Sequence, residues 1–258
     1  MNLRKVRRLA FETGLSINYI SKEHKITKIL QKLNLLFEKN LILKGGTGLN
    51  RGYLHNKARF SEDIDLDFFG KLEKIKEIMT EFDIYKLDKP RFMNNILRYD
   101  CRYINENNQK DTVRIEFYFG KRNIVGKASK IILKSIIPDS EVVFNTYSFE
   151  TLLAMKLIAL HNRKEGKDIF DVFYSLAKNY DRKKLSLILN NLCKSEKIDY
   201  SDLFKNTIQK LEGLEKNYKY IQNSTNHYLT KQVNLDWRLL IINLKQKINE
   251  LSSDLEKQ

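Results

Sequence analysis

The sequence LILKGGTGLNRGYLHNKARFSEDIDLDF, at positions 41–68, decides the fold of the first half of the chain. It opens on a short apolar run that ends in the glycine turn Gly45-Gly46, after which apolar residues follow a helical spacing. Towards its end, apolar side chains alternate with aspartates, which is typical of a strand that carries carboxylates on one face. The stretch therefore predicts a strand, a glycine turn, a helix and a second strand.

Patterns on both sides of this stretch extend the prediction to a mixed sheet with flanking helices. Apolar residues recur at helical spacing between positions 16 and 40, and the pattern at 71–82 predicts a surface helix. Strand-like runs follow at 96–104, at 112–119, and at either 131–137 or 141–144. The predicted fold class is α+β, and we assign residues 1–147 to this first domain.

The character of the sequence changes at Ser148, which is the predicted N-cap of a long helix. From there the apolar residues follow helical spacings, so we predict a second domain, a helical bundle, at residues 148–258. An amphipathic pattern near the end of the chain is predicted to pack on this bundle and not on a membrane. Its apolar residues are Leu235, Leu239, Ile242 and Ile248.

The sequence has no apolar segment long enough for a transmembrane helix, and its first residues lack the apolar region of a secretory signal. Its two cysteines, Cys101 and Cys193, lack the spacing of a disulfide framework or a zinc site. These features predict a cytoplasmic protein without a membrane partner.

The composition predicts a folded, basic protein. Of the 258 residues, 42% are hydrophobic, which excludes a disordered chain, and only ten glycines and two prolines argue against a loop-rich all-β fold. The 47 Lys and Arg residues exceed the 32 Asp and Glu residues by a formal charge of +15, which favours polyanionic partners such as nucleic acid. A general bias towards Lys and Asn explains the charge equally well, so the charge alone does not decide the function.

The glycine turn is a candidate phosphate site. In the run Lys44-Gly45-Gly46-Thr47, the glycines let the backbone approach a phosphate, and the following amides and the Thr47 hydroxyl can donate hydrogen bonds to it. The alternative is a plain tight turn, and the spacing is not that of a Walker A loop. These four residues are our candidate nucleotide-binding turn.

Asp63 and Asp65 are candidate metal ligands. Carboxylates at positions i and i+2 of a strand project side by side, so both can bind one Mg²⁺ or share two ions. The alternative is an acidic edge strand that faces solvent, but the neighbouring Leu66 and Phe68 favour a central strand.

Glu116 is the candidate third carboxylate of the metal and catalytic site. It lies between Ile115 and Phe117 in a strand that is otherwise largely apolar, where a carboxylate is costly unless it is paired or bound to a metal. A salt bridge with Arg114 or Arg102 is an equally good interpretation of this residue.

Lys156 lies in the most apolar stretch of the second half, and a buried lysine needs an anionic partner. Asp168, twelve residues further on, begins a new helix and could accept a hydrogen bond from Lys156 or help to hold a nucleotide. The alternative is a lysine that extends to solvent and an ordinary acidic residue in a first helical turn.

Taken together, these motifs resemble those of the AbiEii/AbiGii nucleotidyltransferase toxin family, the MenT-like toxins of type IV toxin–antitoxin, or abortive-infection, systems. The resemblance rests on the turn at 44–47, the run Arg59-Phe-Ser-Glu-Asp-Ile-Asp65, Glu116, Lys156, and the run Lys167-Asp-Ile-Phe-Asp171. Residues 172–258 match no motif, and Gly48 stands where the family usually has alanine.

The resemblance implies a fold related to nucleotidyltransferases of the DNA polymerase β type, with a helical domain that completes the nucleotide site. It implies that Gly46 and Thr47 bind phosphate and that Asp63 and Asp65 hold Mg²⁺, or Mn²⁺ in its place. Lys156 would bind the nucleotide, and Asp168 would be the last acidic residue of the catalytic set. Glu116 matches the third carboxylate less closely, because that motif is short and degenerate.

The implied reaction is the transfer of a nucleotide from an NTP to an acceptor hydroxyl, with release of pyrophosphate. For a protein with a formal charge of +15, tRNA is the expected acceptor, although a protein acceptor also fits. The resemblance also implies a cognate antitoxin as partner.

Two other functions fit the same residues. A metal-dependent nuclease would use the same carboxylates but would have no use for a phosphate-binding turn. A non-catalytic module that binds nucleotides or nucleic acid would use the turn, and its carboxylates would be structural.

Overall fold

The computed structural model describes residues 1–37, 40–119, 127–138 and 140–256, and the chain divides into two compact units. The first unit holds the described residues of 1–119 and of 128–147, together with Tyr228–Gln232. The second holds Ser148–His227 and the described residues of 233–256. The segment Tyr228–Gln232 thus belongs to the first unit although it follows most of the helical sequence.

In the described residues, eight strands form one mixed sheet in the first unit. They are β1 Leu41–Lys44, β2 Ile64–Phe68, β3 Lys86–Leu87, β4 Arg91–Met93, β5 Ile96–Ile104, β6 Lys110–Tyr118, β7 Ala128–Leu133 and β8 Val142–Tyr147. The strand order is β3-β5-β6-β2-β1-β8-β7, with β4 paired to β5. The β1–β8 and β2–β6 pairs are parallel, and the other pairs are antiparallel. Because β2 lies between β1 and β6, the prediction of a central acidic strand is confirmed.

The two faces of this sheet differ because side chains alternate along each strand. One face is apolar, with residues such as Leu43, Leu66 and Phe117 in a core that also contains buried residues of the long helix α2. The opposite face carries the polar side chains of β1, β2 and β6. The helices of this unit are α1 Leu3–Thr13, α2 Ile17–Phe37, α3 Gly45–Leu49 and α4 Leu72–Met79, with a π-helical turn at Asn50–Leu54 and a 3₁₀ turn at His55–Lys57.

The second unit is helical, as the periodicity predicts. Ser148 caps its first helix, since the side-chain oxygen accepts a hydrogen bond from the backbone N–H of Thr151. The helices are α5 Phe149–Asn162, α6 Gly166–Leu176, α7 Arg182–Glu196, α8 Tyr200–Lys216, α9 Tyr218–Thr225 and α10 Trp237–Glu256, with a 3₁₀ turn at Asn226–Tyr228. Helix α6 begins at Gly166, where a Cβ would overlap the Thr225 side chain of α9, so glycine permits this close packing.

The predicted apolar face of the last helix is wrong in part. Leu239 and Ile242 are exposed, and of the predicted residues only Ile248 is buried. Trp237 is buried at the start of α10, and the residues that follow it at spacings of three and four form the buried face: Leu240, Ile241, Leu244, Ile248 and Leu251. Trp237 thus belongs to the stripe that turns inward, while the adjacent stripe with Leu239 and Ile242 faces solvent.

Other local predictions hold with small changes. The helical pattern predicted at 16–40 corresponds to one helix, α2 Ile17–Phe37, and both of the alternative runs at 131–137 and 141–144 contribute strands, β7 and β8. The short strands β3 and β4 carry no sequence signal that we recognised. In the described part of the chain, no helix combines the length and apolarity that crossing a membrane requires.

Candidate active site

The glycine turn at the end of β1 is hydrogen-bonded to the segment that precedes β2, residues 58–63, which we name the acidic loop. The Thr47 hydroxyl donates a hydrogen bond to the backbone carbonyl of Asp63. The Asn50 side chain donates to the carbonyl of Gly46 at 2.9 Å and accepts from the backbone N–H of Arg59 at 2.9 Å. Two segments that lie sixteen residues apart in the sequence are therefore held together by hydrogen bonds.

These bonds revise the role of one predicted residue and add another. The single proton of the Thr47 hydroxyl is engaged with Asp63, so Thr47 positions the acidic loop in this structure. Asn50 was not predicted as a site residue, although it is almost completely buried. The available signal was an asparagine in an apolar helical pattern, where a buried amide needs hydrogen-bond partners.

Gly45 and Gly46 leave room for polar side chains. Gly45 has a φ of 66°, and a Cβ on it would overlap the carboxylate of Asp65. A Cβ on Gly46 would lie 2.7 Å from Ser61 Oγ and 2.8 Å from Arg59 Nη2. The two glycines are thus required by the close approach of the acidic loop, in addition to any ligand.

Asp65 lies between Lys44 and Glu116 in the sheet. The register pairs Lys44 of β1 with Asp65 of β2, and Asp65 with Glu116 of the parallel strand β6. Cross-strand partners share a face, so these three side chains lie on the polar side of the sheet. Asp63, Asp65 and Glu116 are all half-buried, and we name these three residues the carboxylate site.

Glu116 makes contacts that fit both of its predicted interpretations. Its carboxylate accepts a hydrogen bond from the Tyr118 hydroxyl at 2.8 Å, and Arg114 Nε lies 3.9 Å from its other oxygen. Arg102 instead pairs with Asp88 at 2.7 Å. The register with Asp65 nevertheless brings Glu116 next to the predicted metal pair.

Lys44 is held by a buried network. Its ammonium lies 2.5 Å from Asp67 Oδ1 and 3.5 Å from the centre of the Tyr118 ring, and the Tyr147 hydroxyl donates to Asp67 Oδ2 at 2.7 Å. Asp67 and Tyr147 were not predicted as site residues. The alternation at 63–67 does place Asp67 on the face of Asp65, but the contact with Tyr147 joins residues 80 positions apart and has no local signal.

The residues of the carboxylate site fit a divalent cation by their chemistry. Mg²⁺ prefers carboxylate oxygens and is usually bound by one or two of them, with water and substrate phosphates completing its coordination. In the described ranges, no set of three or more His, Cys, Asp or Glu side chains forms a metal-binding group. The pair Asp63 and Asp65, beside a turn suited to phosphate, fits such a shared mode of binding.

Lys156, Arg163, Asp168 and Asp171 form a group of ion pairs in the second unit, which we name the helical ion cluster. Lys156 lies 2.9 Å from Asp168 Oδ1 and 2.8 Å from Asp171 Oδ2, and Arg163 Nε lies 2.6 Å from Asp168 Oδ2. Both aspartates are completely buried, and Lys156 is nearly so. The alternative of a lysine that extends to solvent is therefore wrong, and Asp171 is a partner that sequence analysis did not assign.

The electrostatics of Asp168 follow from these contacts. Burial alone would raise its pKa, but Lys156 and Arg163 outweigh that effect and lower the pKa to about 2. The carboxylate is therefore ionised throughout the physiological range. Both of its oxygens are engaged, so Asp168 holds the side chains of Lys156 and Arg163 in place.

Comparison with known proteins agrees with the resemblance seen in the motifs. The family described as nucleotidyl transferase AbiEii toxin, type IV TA system, matches residues 28–250. No curated protein matches the chain by sequence.

Two solved structures share the fold at low sequence identity. One is MenT4, a nucleotidyltransferase toxin from Mycobacterium tuberculosis H37Rv, with a TM-score of 0.69 and 14% identity over 100% of this chain and 92% of that one. Another is JHP933 from Helicobacter pylori, with a TM-score of 0.56 and 19% identity over 95% of this chain and 96% of that one. At these identities the likeness establishes the fold only, and the predicted fold class is confirmed.

Proposed function

Since the chain belongs to the AbiEii nucleotidyl transferase toxin family of type IV toxin–antitoxin systems, we propose that it transfers a nucleotide from an NTP to an RNA acceptor, most specifically tRNA, in a Mg²⁺-dependent reaction. The family implies an NTP as substrate and an antitoxin as partner. The metal, the transfer and the acceptor are the proposed parts.

The observation that carries the proposal is the contact between the glycine turn and Asp65. The carboxylate occupies the space where Gly45 lacks a side chain, while Glu116 is its neighbour on β6. A phosphate that approached the backbone of this turn would therefore meet the carboxylates, and two negative groups need a cation between them. A nuclease would require the carboxylates alone.

In this proposal each residue has a defined task. Gly45 and Gly46 let the triphosphate approach the backbone, and Asp63 and Asp65 hold Mg²⁺ with Glu116 beside them. When bound, Mg²⁺ would neutralise charge on the triphosphate and lower the pKa of the attacking hydroxyl. Glu116 accepts the proton of that hydroxyl while the new bond to the α-phosphorus forms and the bond to pyrophosphate breaks.

The residues around the turn then act by positioning. Thr47 and Asn50 fix the turn against the acidic loop, and Asp67 fixes Lys44 on the polar face of the sheet. We assign Lys156 the role of a nucleotide-binding cation, as in the family motif, and Asp168 the role of holding it. This changes Asp168 from a catalytic to a positioning residue, because it is fully buried and fully engaged.

The direct test incubates the purified protein with each NTP, labelled at the α-phosphate, and with purified tRNA. We expect label in the RNA with one or a few NTPs, with Mg²⁺ or Mn²⁺ present, and none with EDTA. Mass spectrometry of the RNA then gives the added nucleotide and its position.

Each alternative gives a different result in the same assay. Shortened RNA without NTP would show a nuclease, and NTP binding that ignores Mg²⁺, without transfer, would show a binding module. Label found in a protein band and not in the RNA would support nucleotide transfer but would show that the acceptor is a protein.

A further inference from the structure

The polar face of the sheet continues from the carboxylate site into a row of arginines. Glu116 of β6 pairs in register with Arg98 of β5, and Arg98 pairs with Arg91 of β4. Arg114 and Arg102 lie on the same face, because they are separated from Glu116 and Arg98 by two and four residues. We name Arg91, Arg98, Arg102 and Arg114 the arginine face.

Two acidic residues pair with the arginines of this face and are less exposed than their partners. Asp100 exposes 11% of its side chain and is paired with both Arg91 and Arg98. Arg102 is 64% exposed and pairs with the less exposed Asp88. Asp100 and Asp88 thus hold three of the guanidinium groups, and Arg91 and Arg102 each expose more than half of their side chains to solvent.

Arg114 is the member with the weakest contact to the protein. Its Nε is buried and has no hydrogen-bond partner within the described residues, and its approach to Glu116 is 3.9 Å, beyond hydrogen-bond distance. The rest of this side chain is accessible, with 40% of its surface exposed. The buried Nε is closed to a ligand, so a ligand with acceptor oxygens would be met by the exposed part of this side chain.

The dimensions of the face select a polymer over a single nucleotide. Arg98 and Arg102 are four residues apart on one strand, which corresponds to about 13 Å. Asp100 lies between them on the same face, so the two arginines are separated by about two phosphate spacings of an extended polynucleotide. Guanidinium groups bind phosphate oxygens in a planar, two-point manner that lysine does not reproduce.

We propose that the arginine face binds the phosphodiester backbone of the RNA acceptor next to the carboxylate site. The identification of the ligand as the acceptor rests on the proposed function, but binding of RNA to this face can be tested without it. A competing surface exists on α1, where Arg4, Lys5, Arg7 and Arg8 are exposed. The arginine face is favoured because it is in register with Glu116, and the α1 residues serve as the control.

The experiment measures binding of fluorescently labelled tRNA to the full-length protein without NTP and with EDTA, so that no reaction occurs. The test variant is Arg91→Gln with Arg102→Gln, both exposed residues, and the matched control is Arg4→Gln with Arg7→Gln, which removes the same charge. We expect the test variant to lower the slope of log Kd against log salt by about 1.4 to 1.8, from about 0.7 to 0.9 per lost phosphate contact. We expect the control to leave Kd within about twofold of the parent protein.

Further variants and outcomes keep the two proposals separate. Arg91→Lys with Arg102→Lys preserves the charges and ion pairs, and we expect it to recover most of the salt slope but not the full affinity. An equal or larger loss in the α1 control would overturn the arginine face, as would a parent protein that does not bind RNA. If the protein does not bind RNA but transfers a nucleotide to a different acceptor, the proposed transferase activity holds and the proposed RNA-binding face is wrong. If it binds RNA through the arginine face but transfers no nucleotide, the proposed RNA-binding face holds and the proposed activity is wrong.

Discussion

The carboxylate site and the helical ion cluster both contain several acidic residues, but they differ in the burial of the carboxylates and in the cations that lie beside them. In the helical ion cluster, two cations and two anions balance, and Asp168 and Asp171 are completely buried. In the carboxylate site, Asp63, Asp65 and Glu116 are half-buried, and two of them are neighbours in register. The aspartates of the first group are enclosed within the chain, whereas the carboxylates of the second are partly exposed.

On the proposed function, the difference separates the acidic residues that bind the metal from those that stabilise the helical unit. A buried ion pair is costly to break, because the remaining charge is left without solvent or partner. An accessible pair of like charges can exchange water for a metal and a phosphate. We therefore expect changes in the carboxylate site to affect activity, and changes in the helical ion cluster to affect stability first.

The largest effect is expected for Asp65→Asn, which removes one charge from the carboxylate site without changing its size. Nucleotide transfer should fall by at least about 10⁴-fold, roughly 5 kcal/mol in the barrier, since the amide is a poor ligand for Mg²⁺. The melting temperature should stay equal or rise slightly, because repulsion with Glu116 is relieved. Initial rates and thermal melting would be measured beside Glu73→Gln, an exposed control on α4.

An Asp65→Asn protein with normal transfer across a Mg²⁺ titration would remove Asp65 from the metal site. A protein that loses both activity and stability would place Asp65 with the structural acids and erase the contrast between the two clusters.

The second prediction concerns Lys156→Ala in the helical ion cluster. It leaves Asp168 with Arg163 alone and deprives the buried Asp171 of this ion pair, so we expect the free energy of unfolding to fall by about 3 to 5 kcal/mol. NTP affinity, measured below the melting transition, should also fall if the ammonium contacts the nucleotide. Lys164→Ala, at an exposed turn position, is the control.

A Lys156→Ala protein that melts like the parent would show that the ion pairs contribute little to stability. A destabilised variant that binds NTP with normal affinity would remove Lys156 from the nucleotide site and leave it with a structural role only.

Local sequence was sufficient for the parts of the fold that depend on neighbouring residues. The order of β1, the glycine turn and β2 follows from apolar runs and alternation, and the Ser148 cap follows from a residue type with a specific hydrogen bond. The buried face of α10 did not follow, because two adjacent apolar stripes were available and helical spacing alone does not say which of them packs on the other helices.

In the candidate site, too, local spacing predicts some contacts, whereas others arise only from the order of the strands and helices. The strand period correctly places Asp65 and Asp67 on one face of β2, but Asp63 lies just before that strand, so its pairing with Asp65 stays a prediction. The network of Lys44, Asp67 and Tyr147 could not be deduced, because Tyr147 reaches β2 only through the sheet order. Asp171 was in a recognised motif but had no assigned role, since helical spacing alone does not say which residue faces Lys156.

The third prediction tests the contact between the glycine turn and the carboxylate site. Gly45→Ala introduces a Cβ at a φ of 66° and in the space of the Asp65 carboxylate, so we expect a loss of about 2 to 3 kcal/mol in stability together with weaker Mg²⁺ binding. The matched control is Gly213→Ala in α8, where a Cβ meets nothing within 4 Å and should stabilise the helix by up to about 1 kcal/mol. Equal effects of the two substitutions in denaturant titrations would contradict the assigned contact.

The smallest effect is expected in the acid dependence of the helical ion cluster. Because the pKa of Asp168 is lowered from 3.8 to about 2, its contribution to stability is fully present above pH 4 and is lost as the pH falls towards 2. The change amounts to roughly 2 kcal/mol.

In urea titrations from pH 7 to pH 2, the difference in unfolding free energy between the parent protein and Asp168→Asn should therefore shrink by about that amount below pH 4. Asn206→Gln, an exposed change on α8 that removes no ionisable group, should show a constant difference from the parent over the same range. The contrary result is a difference in unfolding free energy between the parent and Asp168→Asn that stays constant down to pH 2. It would mean that the charges of Lys156 and Arg163 do not stabilise Asp168 in the folded protein. The contrast between the helical ion cluster and the carboxylate site would then lose its electrostatic basis.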